Sequence, residues 1–518
     1  MAAGVRGKPM NRVSIAALAV LIAAPALAKP PSALLRCDGY GRRVGVGESL
    51  ARLPLVIGTL GLFGAPEPDN PLAREGGEKG VQACTEALSD ARVTGNAIRR
   101  AEVRLMRGIR NLEVGSPDAA FADGEAALAT ALPAEVKPWF DMTLRPSALL
   151  LQAHARVAQG RDADAETLAL AAAAARPWGW WVPGEAARLL ALTPTISPGE
   201  AELLERLYRL SASTLRAQAR ERAGDWAGAA ADFGALVGAA DKPDVVVQAR
   251  LAADQALAGN TAGAEATLAR VQQQVDELAA TAGGTDRKAQ DAASQVARAD
   301  ELTQLARAQL ALVAGQPDDA KAILLGRSRW LAPAPIAAAV IANVQAKVVP
   351  GSLAFDPAKL RGDAATVART ALVGKEATGL KAVGWPRWED PDVAAGYGKD
   401  LATRPAVVKV ERVRDGGATE VSIFRNAAVD TQAEALLLLA ARIATEQGAT
   451  RFAVIARGLS FGAGRQGMTG NLGRLTIVTP RDKLWAGQED RAIEVAAVEA
   501  ALAPRFPAPA NPRGAPQR

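Results

Sequence analysis

The sequence predicts a mainly α-helical protein in which an irregular solenoid of helical hairpins precedes a small α+β domain. Five times in the middle of the 518-residue chain, a small residue is followed by Gly seven positions on and by Ala five positions later. The same stretch is rich in Ala, Leu, Arg, Glu and Gln, residues that favour helix. After Pro350 short β-branched runs alternate with alanine-rich segments, a pattern typical of mixed α and β structure.

Residues 1–28 are typical of a secretory signal peptide. Basic residues between positions 6 and 12 precede the apolar run Val13–Ala24, and Ala26-Leu27-Ala28 is a small-x-small cleavage site. We expect cleavage after Ala28, with Lys29 as the mature N-terminus and the periplasm as the destination. The alternative is an uncleaved anchor, but the apolar run is shorter than the about 20 residues that a transmembrane helix needs. We expect no transmembrane span in the mature chain.

The charge of the chain argues against a nucleic-acid partner. The formal net charge is +6, and removal of the three basic residues of the leader lowers it to +3. Lys and Arg are dispersed among Asp and Glu, and aromatic residues make up 4% of the chain. A nucleic-acid footprint would need clustered positive charge, so we predict no nucleic-acid binding.

The segment 29–80 is rich in Gly and Pro and contains Cys37, whereas Cys84 lies just beyond it. An exported protein with an even number of cysteines usually oxidises them. We therefore predict a Cys37–Cys84 disulfide that ties this segment to the repeats. The alternatives, a redox pair or metal ligands, lack the close CxxC spacing and a nearby His.

The region 81–350 holds the five repeated units. They are Gly108/Gly115/Ala120, Ala153/Gly160/Ala165, Ala217/Gly224/Ala229, Ala252/Gly259/Ala264 and Ala308/Gly315/Ala320. Small side chains allow two helices to cross closely, and Gly ends the first helix, so each unit predicts a helical hairpin. The alternative is chance alignment in an alanine-rich chain. The Trp- and Pro-rich segment Arg176–Pro183, with Thr193-Pro194, is expected to interrupt the register.

The segment Ala217–Leu236 resembles a tetratricopeptide repeat, because Gly224 and Ala229 are joined by aromatics at Trp226 and Phe233. The other units keep the small residue, the Gly and the Ala but lose the aromatics, and the glycines are unevenly spaced. The resemblance therefore implies a degenerate and irregular array.

In this family the first helix of each unit lines a concave surface that holds a peptide or a partner helix. The resemblance implies a protein or peptide partner and a set of groove-facing polar candidates, with an ordinary solvated surface role as the alternative for each. These candidates are His154, Thr214, Gln218, Glu221, Arg222 and Gln309.

Residues 351–400 are predicted to form a linker with a short helix near Asp363–Val373. Residues 401–504 are predicted to form the α+β domain in the order ββαββα, and residues 505–518 a Pro-rich tail. The predicted elements are strands Val407–Val413 and Thr419–Phe424, helix Asp430–Gln447, strands Arg451–Ala456 and Leu475–Thr479, and helix Asp490–Leu502.

Signals for catalysis are weak. The GxGxxG at Gly462–Gly467 is followed by a predicted strand, whereas a dinucleotide site needs a helix N-terminus there, so a hairpin loop is the better interpretation. His154 is the one histidine, and no Cys/His cluster or HExxH motif occurs. We predict no cofactor and no metal site.

Two functional hypotheses emerge from these patterns. The first is an exported, non-enzymatic scaffold or adaptor that binds a protein or peptide partner in the bacterial periplasm or cell envelope. The alternative is an envelope hydrolase or other enzyme with its site in the C-terminal α+β domain.

Overall fold

The computed structural model describes residues 31–40, 73–193, 195–210, 214–238, 242–328, 330, 333–370, 391–403, 408–413, 417–425, 429–463 and 469–507. These residues form 21 α-helices and one five-stranded antiparallel sheet near the C-terminus. The prediction of a mainly helical chain with a small β-containing domain at its end is confirmed. The signal peptide and the cleavage site Ala28/Lys29 lie outside the described residues. No helix in the described part of the chain has the length and apolarity that a membrane crossing requires.

The chain divides into two compact units, residues 1–94 and 95–518. In the first unit, helix α1 (Ala33–Asp38) contacts α2 (Gly77–Leu88), and α3 (Ala91–Thr94) follows. The Cys37–Cys84 disulfide joins α1 to α2 across 47 residues of sequence, as predicted. Closing a loop of this size stabilises the folded state by about 4 kcal/mol in the chain-entropy model.

The second unit begins with a run of helices, most of them paired. In order they are α4 (Ala97–Glu113), α5 (Pro117–Leu128), α6 (Lys137–Met142), α7 (Leu144–Ala158), α8 (Asp162–Ala175), α9 (Trp181–Leu190), α10 (Pro198–Leu210), α11 (Thr214–Ala223), α12 (Trp226–Gly238), α13 (Val245–Leu257), α14 (Thr261–Ala282), α15 (Arg287–Val313), α16 (Pro317–Leu325) and α17 (Ala334–Gln345). The five predicted hairpins are α4/α5, α7/α8, α11/α12, α13/α14 and α15/α16, and the helices of each pair contact each other.

The five hairpin turns share one backbone geometry. The glycine of each turn has φ between +72° and +78°, a left-handed conformation that Gly adopts without strain. The residue after each glycine donates its N–H to the carbonyl five residues earlier, as in Ser116 to Asn111 and Gln316 to Ala311. This pattern is the Schellman ending of a helix. The recurring Gly therefore has the local role that the sequence predicts.

The small residues of the repeat are buried at the helix crossings. Ala153, Ala217, Ala252 and Ala308 on the first helices are all fully buried. A methyl group at Gly108 would collide with Leu151 of α7. Small side chains are needed because the helix backbones approach closely at these points.

Two departures from a regular array explain the uneven spacing of the glycines. Helices α9 and α10 intervene after the second hairpin. The hairpin α14/α15 is built from helices of 22 and 27 residues, and most side chains between residues 272 and 298 are exposed or partly exposed. These helices therefore extend beyond the packed part of the array.

The region predicted as a linker contains helices α18 (Pro357–Thr370) and α19 (Pro391–Thr403), and residues 371–390 lie outside the described part. Helix α18 contacts α17 and α7, and Arg369 forms an ion pair with Asp162 of α8 at 2.5 Å. The chain thus returns from the end of the array to its earlier helices before the sheet begins.

The sheet has the order β1-β2-β4-β3-β5, and its neighbours are antiparallel. The strands and their helices are β1 (Val408–Arg412), β2 (Thr419–Arg425), α20 (Val429–Glu446), β3 (Arg451–Ala463), β4 (Thr469–Val478), β5 (Ile493–Glu494) and α21 (Val495–Leu502). The buried face of α20 packs on the sheet. The last helix is shorter than predicted because Ile493 pairs with Phe452 as a strand.

The core of this domain also contains residues that lie outside the predicted boundaries 401–504. Tyr397 of α19 and Phe506 of the predicted tail are both buried, and their rings meet edge to face at 6.0 Å between centroids. The packed domain therefore extends from α19 to Phe506.

The GxGxxG motif lies between two paired strands. Gly462 and Ala463 end β3, and Ala463 pairs with Thr469 at the start of β4. Gly464 and the rest of the loop to Met468 lie outside the described residues. The element after the glycines is a strand, as the sequence predicts.

We expect Ala229→Trp to destabilise the α11/α12 hairpin. Ala229 is fully buried in α12, and overpacking a close helix crossing costs about 1 to 3 kcal/mol. Urea denaturation followed by circular dichroism measures the loss. Ala227→Trp, on the exposed side of the same helix, is the matched control, and equal stability of the two variants would contradict the helix register.

Candidate functional site

Part of the predicted binding face is covered by the chain itself. Helix α17 contacts α11, α13 and α15, the first helices of three successive hairpins. Its apolar side chains Ile336, Val340, Ile341 and Val344 are fully buried. Helix α17 therefore covers part of the face that these first helices share.

Two groove candidates are buried because neighbouring helices cover them. Gln309 of α15 is 7% exposed and accepts a hydrogen bond from Asn343 Nδ2 of α17 at 3.1 Å. Glu221 of α11 is 1% exposed and binds the guanidinium of Arg250 on α13, with Arg250 Nε donating to Oε1 at 2.5 Å. In this packing neither side chain is open to a partner.

His154 is also internal. It is 1% exposed on α7, and its Nε2 lies 3.0 Å from Oε1 of Glu185 on α9, which also binds Arg188. Burial opposes ionisation of Glu185, but the neighbouring His154 and Arg188 outweigh it and lower the pKa of this carboxyl. The structural role of His154 is to join α7 to α9.

The remaining candidates lie on α11. Arg222 is partly exposed, but it forms an ion pair with Glu200 and donates to the carbonyls of Leu190 and Thr193 at 3.0 and 2.9 Å. Thr214 and Gln218 are partly exposed. Thr214, Gln218 and Arg222 are thus the three of the six candidates that are partly exposed.

Two of the hairpins each contain a buried aspartate at the same position of the second helix, which was not predicted from the sequence. Asp123 in α5 accepts from Arg107 and Asn111, which lie 16 and 12 residues earlier. Asp232 in α12 accepts from Arg216 and Arg220 at the same two separations.

The same position in the α13/α14 hairpin holds a polar pair. There Thr267 donates to Gln255 at 2.9 Å, again 12 residues apart. A polar residue eight positions after the turn glycine is the sequence signal for these hydrogen bonds between the two helices of a hairpin.

A second buried acid lies beside Glu221. Asp254 of α13 is fully buried, and burial together with neighbouring Glu221 raises the pKa of Asp254 to about 9, although Arg250 opposes the shift. Asp254 is therefore protonated at neutral pH, and Arg250 forms its ion pair with the neighbouring Glu221. The two carboxyls can share a hydrogen bond only while this proton is present.

The junction between the helical array and the sheet domain contains a buried ionic network. Arg176, at the end of α8, forms a two-pronged ion pair with Glu434 of α20, with N···O distances of 3.1 and 2.9 Å. It also donates to Thr431 Oγ1 at 2.8 Å. Arg505 donates to Glu434 Oε1 at 2.7 Å. Glu434 and Arg176 are 1% and 3% exposed, so a displaced partner could not be replaced by bulk water.

Asp430 of the sheet domain caps the N-terminus of helix α9. Its Oδ1 accepts from the backbone N–H groups of Trp180 and Trp181, each at 2.6 Å, and its Oδ2 accepts from Val182 at 3.0 Å. A helix leaves its first N–H groups unpaired, and its dipole favours negative charge at this end. Burial raises the pKa of Asp430, whereas Arg176 and the amide donors act in the opposite direction.

Gly179 allows this close approach. A Cβ at position 179 would lie 2.7 Å from Asp430 Cγ, so any side chain there would displace the carboxylate. The Trp-rich segment Arg176–Pro183, predicted to interrupt the repeat, is therefore the segment that docks the sheet domain.

Tryptophans supply the apolar part of the junction. Trp139, Trp178 and Trp180 pack against the core of the sheet domain, and Leu210 at the end of α10 belongs to that core. The ionic network and Trp139 line a small pocket. Its walls are Trp139, Met142, Thr143, Arg176, Thr431, Glu434, Arg505 and Phe506.

The polar groups of this junction hold the helical region and the sheet domain together. Both oxygens of Glu434 and both oxygens of Asp430 accept hydrogen bonds from protein donors. Among the described side chains, no group of three or more His, Cys, Asp or Glu residues is placed to hold a metal ion.

No protein-family model, curated protein or solved structure matches the chain. The resemblance to the tetratricopeptide repeat therefore rests on the residues of the sequence. Any assignment of function depends on these residues and on the contacts that the described side chains make.

Proposed function

We propose that the chain is an exported, non-enzymatic scaffold of the bacterial periplasm or cell envelope, which binds a protein or peptide partner through its helical hairpins. The observation that carries the proposal is the construction of the second unit. Each of the five hairpins has a glycine turn of the same geometry. A buried ionic network joins the helical region to the sheet domain. Arrays of this kind present extended surfaces whose shape is fixed by packing between neighbouring elements.

The Cys37–Cys84 disulfide and the leader-like N-terminus support export. Disulfides persist in oxidising compartments, among them the periplasm. The pairing links the two cysteines of the chain. An envelope hydrolase stays the alternative hypothesis, and no observation on the described residues favours it.

Helix α11 is the part of the array where we place the partner. Thr214 and Gln218 are partly exposed, whereas the candidates on α7 and α15 are buried. An exposed polar face on a first helix is the surface that helical-repeat proteins use for peptides.

Site-specific photocrosslinking tests this placement. A photoreactive amino acid is introduced at position 218 of the full-length chain, intact cells are irradiated, and the chain is purified through an affinity tag. We expect one major crosslinked protein or peptide. The matched control carries the same amino acid at position 202 on α10, where the Glu side chain is 81% exposed. A partner trapped equally at both positions, or at neither, would contradict the proposed surface.

We expect the mature chain to begin at Lys29. The small residues Ala26 and Ala28 provide the cleavage signal, and export is a condition for the proposed function. N-terminal sequencing of protein from the cell envelope checks this expectation, and material that retains Arg12 would refute it.

A further inference from the structure

Strand β1 forms one edge of the sheet and has an unusual exposed pattern. Its sequence is Val-Lys-Val-Glu-Arg, and only Val408 is buried. Lys409 and Glu411 have side chains that are 68% and 60% exposed and lie 2.7 Å apart as an ion pair. Val410 is 38% exposed although it lies on the same face as buried Val408.

The hydrogen bonds of the sheet show which backbone groups of β1 face outward. Val413 N–H donates to the carbonyl of Ala418 at 2.8 Å, and Arg412 pairs with Thr419 in the next position. Hydrogen-bonded and non-hydrogen-bonded pairs alternate along an antiparallel ladder. Val408, Val410 and Arg412 therefore direct their N–H and C=O groups away from β2, toward the open edge.

We propose that β1 pairs antiparallel with β1 of a second copy of the chain, with Val410 on the two-fold axis. In this register Val410 faces Val410, and Val408 faces Arg412 of the second copy, so every outward backbone group meets a partner. Lys409 then stands opposite Glu411 of the second copy, and Glu411 stands opposite its Lys409. The isologous contact closes after two chains.

Neighbouring registers are disfavoured by charge. A shift that keeps the outward backbone groups matched places the axis at Lys409 or at Glu411, which brings two like charges directly opposite each other. Like charges at opposed positions destabilise a strand pair, and opposite charges stabilise it. Among these three registers, the one centred on Val410 is the only one that sets opposite charges against each other.

The proposed contact is small. Five residues on each side bury far less than the about 1,200 Å² of a stable interface, so we expect a weak, reversible dimer. Lysine on an edge strand usually keeps a protein monomeric, and the structure differs from that situation in placing Glu411 two residues away. The inference goes beyond the proposed function, which stands if the chain is monomeric.

Sedimentation equilibrium of the mature chain tests the proposal. We expect self-association to become measurable at about 100 µM. Lys409→Glu and Glu411→Lys should each abolish it, because each variant places like charges across the axis. An equimolar mixture of the two variants should associate again, since each Glu then faces a Lys. The double variant should behave as the wild type.

Lys359→Glu is the matched control, because it makes the same charge change on an exposed residue of α18. It should leave self-association unchanged. The proposal is overturned if the wild type is monomeric at about 1 mM, or if the mixture of the two variants stays monomeric. Association that survives both single variants would also overturn it, since another surface would then be responsible.

Discussion

Glu434→Ala is expected to destabilise the second unit by about 3 to 5 kcal/mol, the cost of leaving a buried charge without its partner. Arg176 would lose both prongs of its ion pair, while its hydrogen bonds to Thr431 and to the carbonyl of Met142 do not depend on Glu434. Arg505 would lose its contact with the same carboxylate. The loss should appear as a lower urea midpoint with the signal of tryptophan fluorescence, since three tryptophans pack at the junction.

The control for this experiment is Glu499→Ala. Glu499 of α21 pairs with Arg442 at 3.4 Å, but both side chains are about one third exposed, at 33% and 29%. Pairs of this kind contribute about 0 to 1 kcal/mol. A second variant, Arg176→Met with Glu434→Leu, replaces both charges with apolar groups and should recover most of the stability. A Glu434→Ala loss no larger than that of Glu499→Ala would show that the junction is not held by this network.

Asp254→Asn is expected to stabilise the chain, and increasingly so as the pH rises. Burial and Glu221 raise the pKa of Asp254 from 3.8 to about 9, so between these values the folded state binds a proton that the unfolded state lacks. The stability contributed by this proton is complete below pH 3.8 and is lost as pH rises toward 9, at up to about 1.4 kcal/mol per pH unit. The amide of Asn cannot ionise, and like a protonated carboxyl group it is able to donate a hydrogen bond to Glu221.

Urea denaturation at pH 4, 6 and 8 measures this effect. We expect the two proteins to be nearly equal at pH 4 and the variant to be more stable by about 2 kcal/mol or more at pH 8. Asp276→Asn, at an exposed position of α14, is the control and should show no such divergence. A constant difference between wild type and Asp254→Asn across this range would mean that Asp254 does not hold its proton.

The features that depend on local rules were predictable from the sequence. A left-handed turn needs Gly, and a close helix crossing needs Ala or Gly, so Gly224 and Ala217 indicated their hairpin directly. The strands β1 and β2 were found within two residues of their ends, because β-branched runs and an Asp-Gly turn mark them.

Features that depend on distant partners could not be predicted. Arg176 and Glu434 lie 258 residues apart, and neither residue type at its own position indicates the other. Gln309 lies on the first helix of its unit, as predicted, but α17 covers it. Tyr397 and Phe506 lie in Pro- and Gly-rich sequence that resembles linker and tail, yet both complete the core of the sheet domain.

The residue that caps α9 is synthesised long after the helix itself. The carboxylate of Asp430 comes 248 to 250 residues after the amides that it binds. At a translation rate of about 5 to 20 residues per second, it emerges on the order of 10 to 50 seconds after α9. During that interval the first amides of α9 lack the carboxylate that pairs with them in the complete chain. A chain interrupted before residue 430 would therefore lack the acceptor that pairs with the first amides of α9, and this helix would begin uncapped.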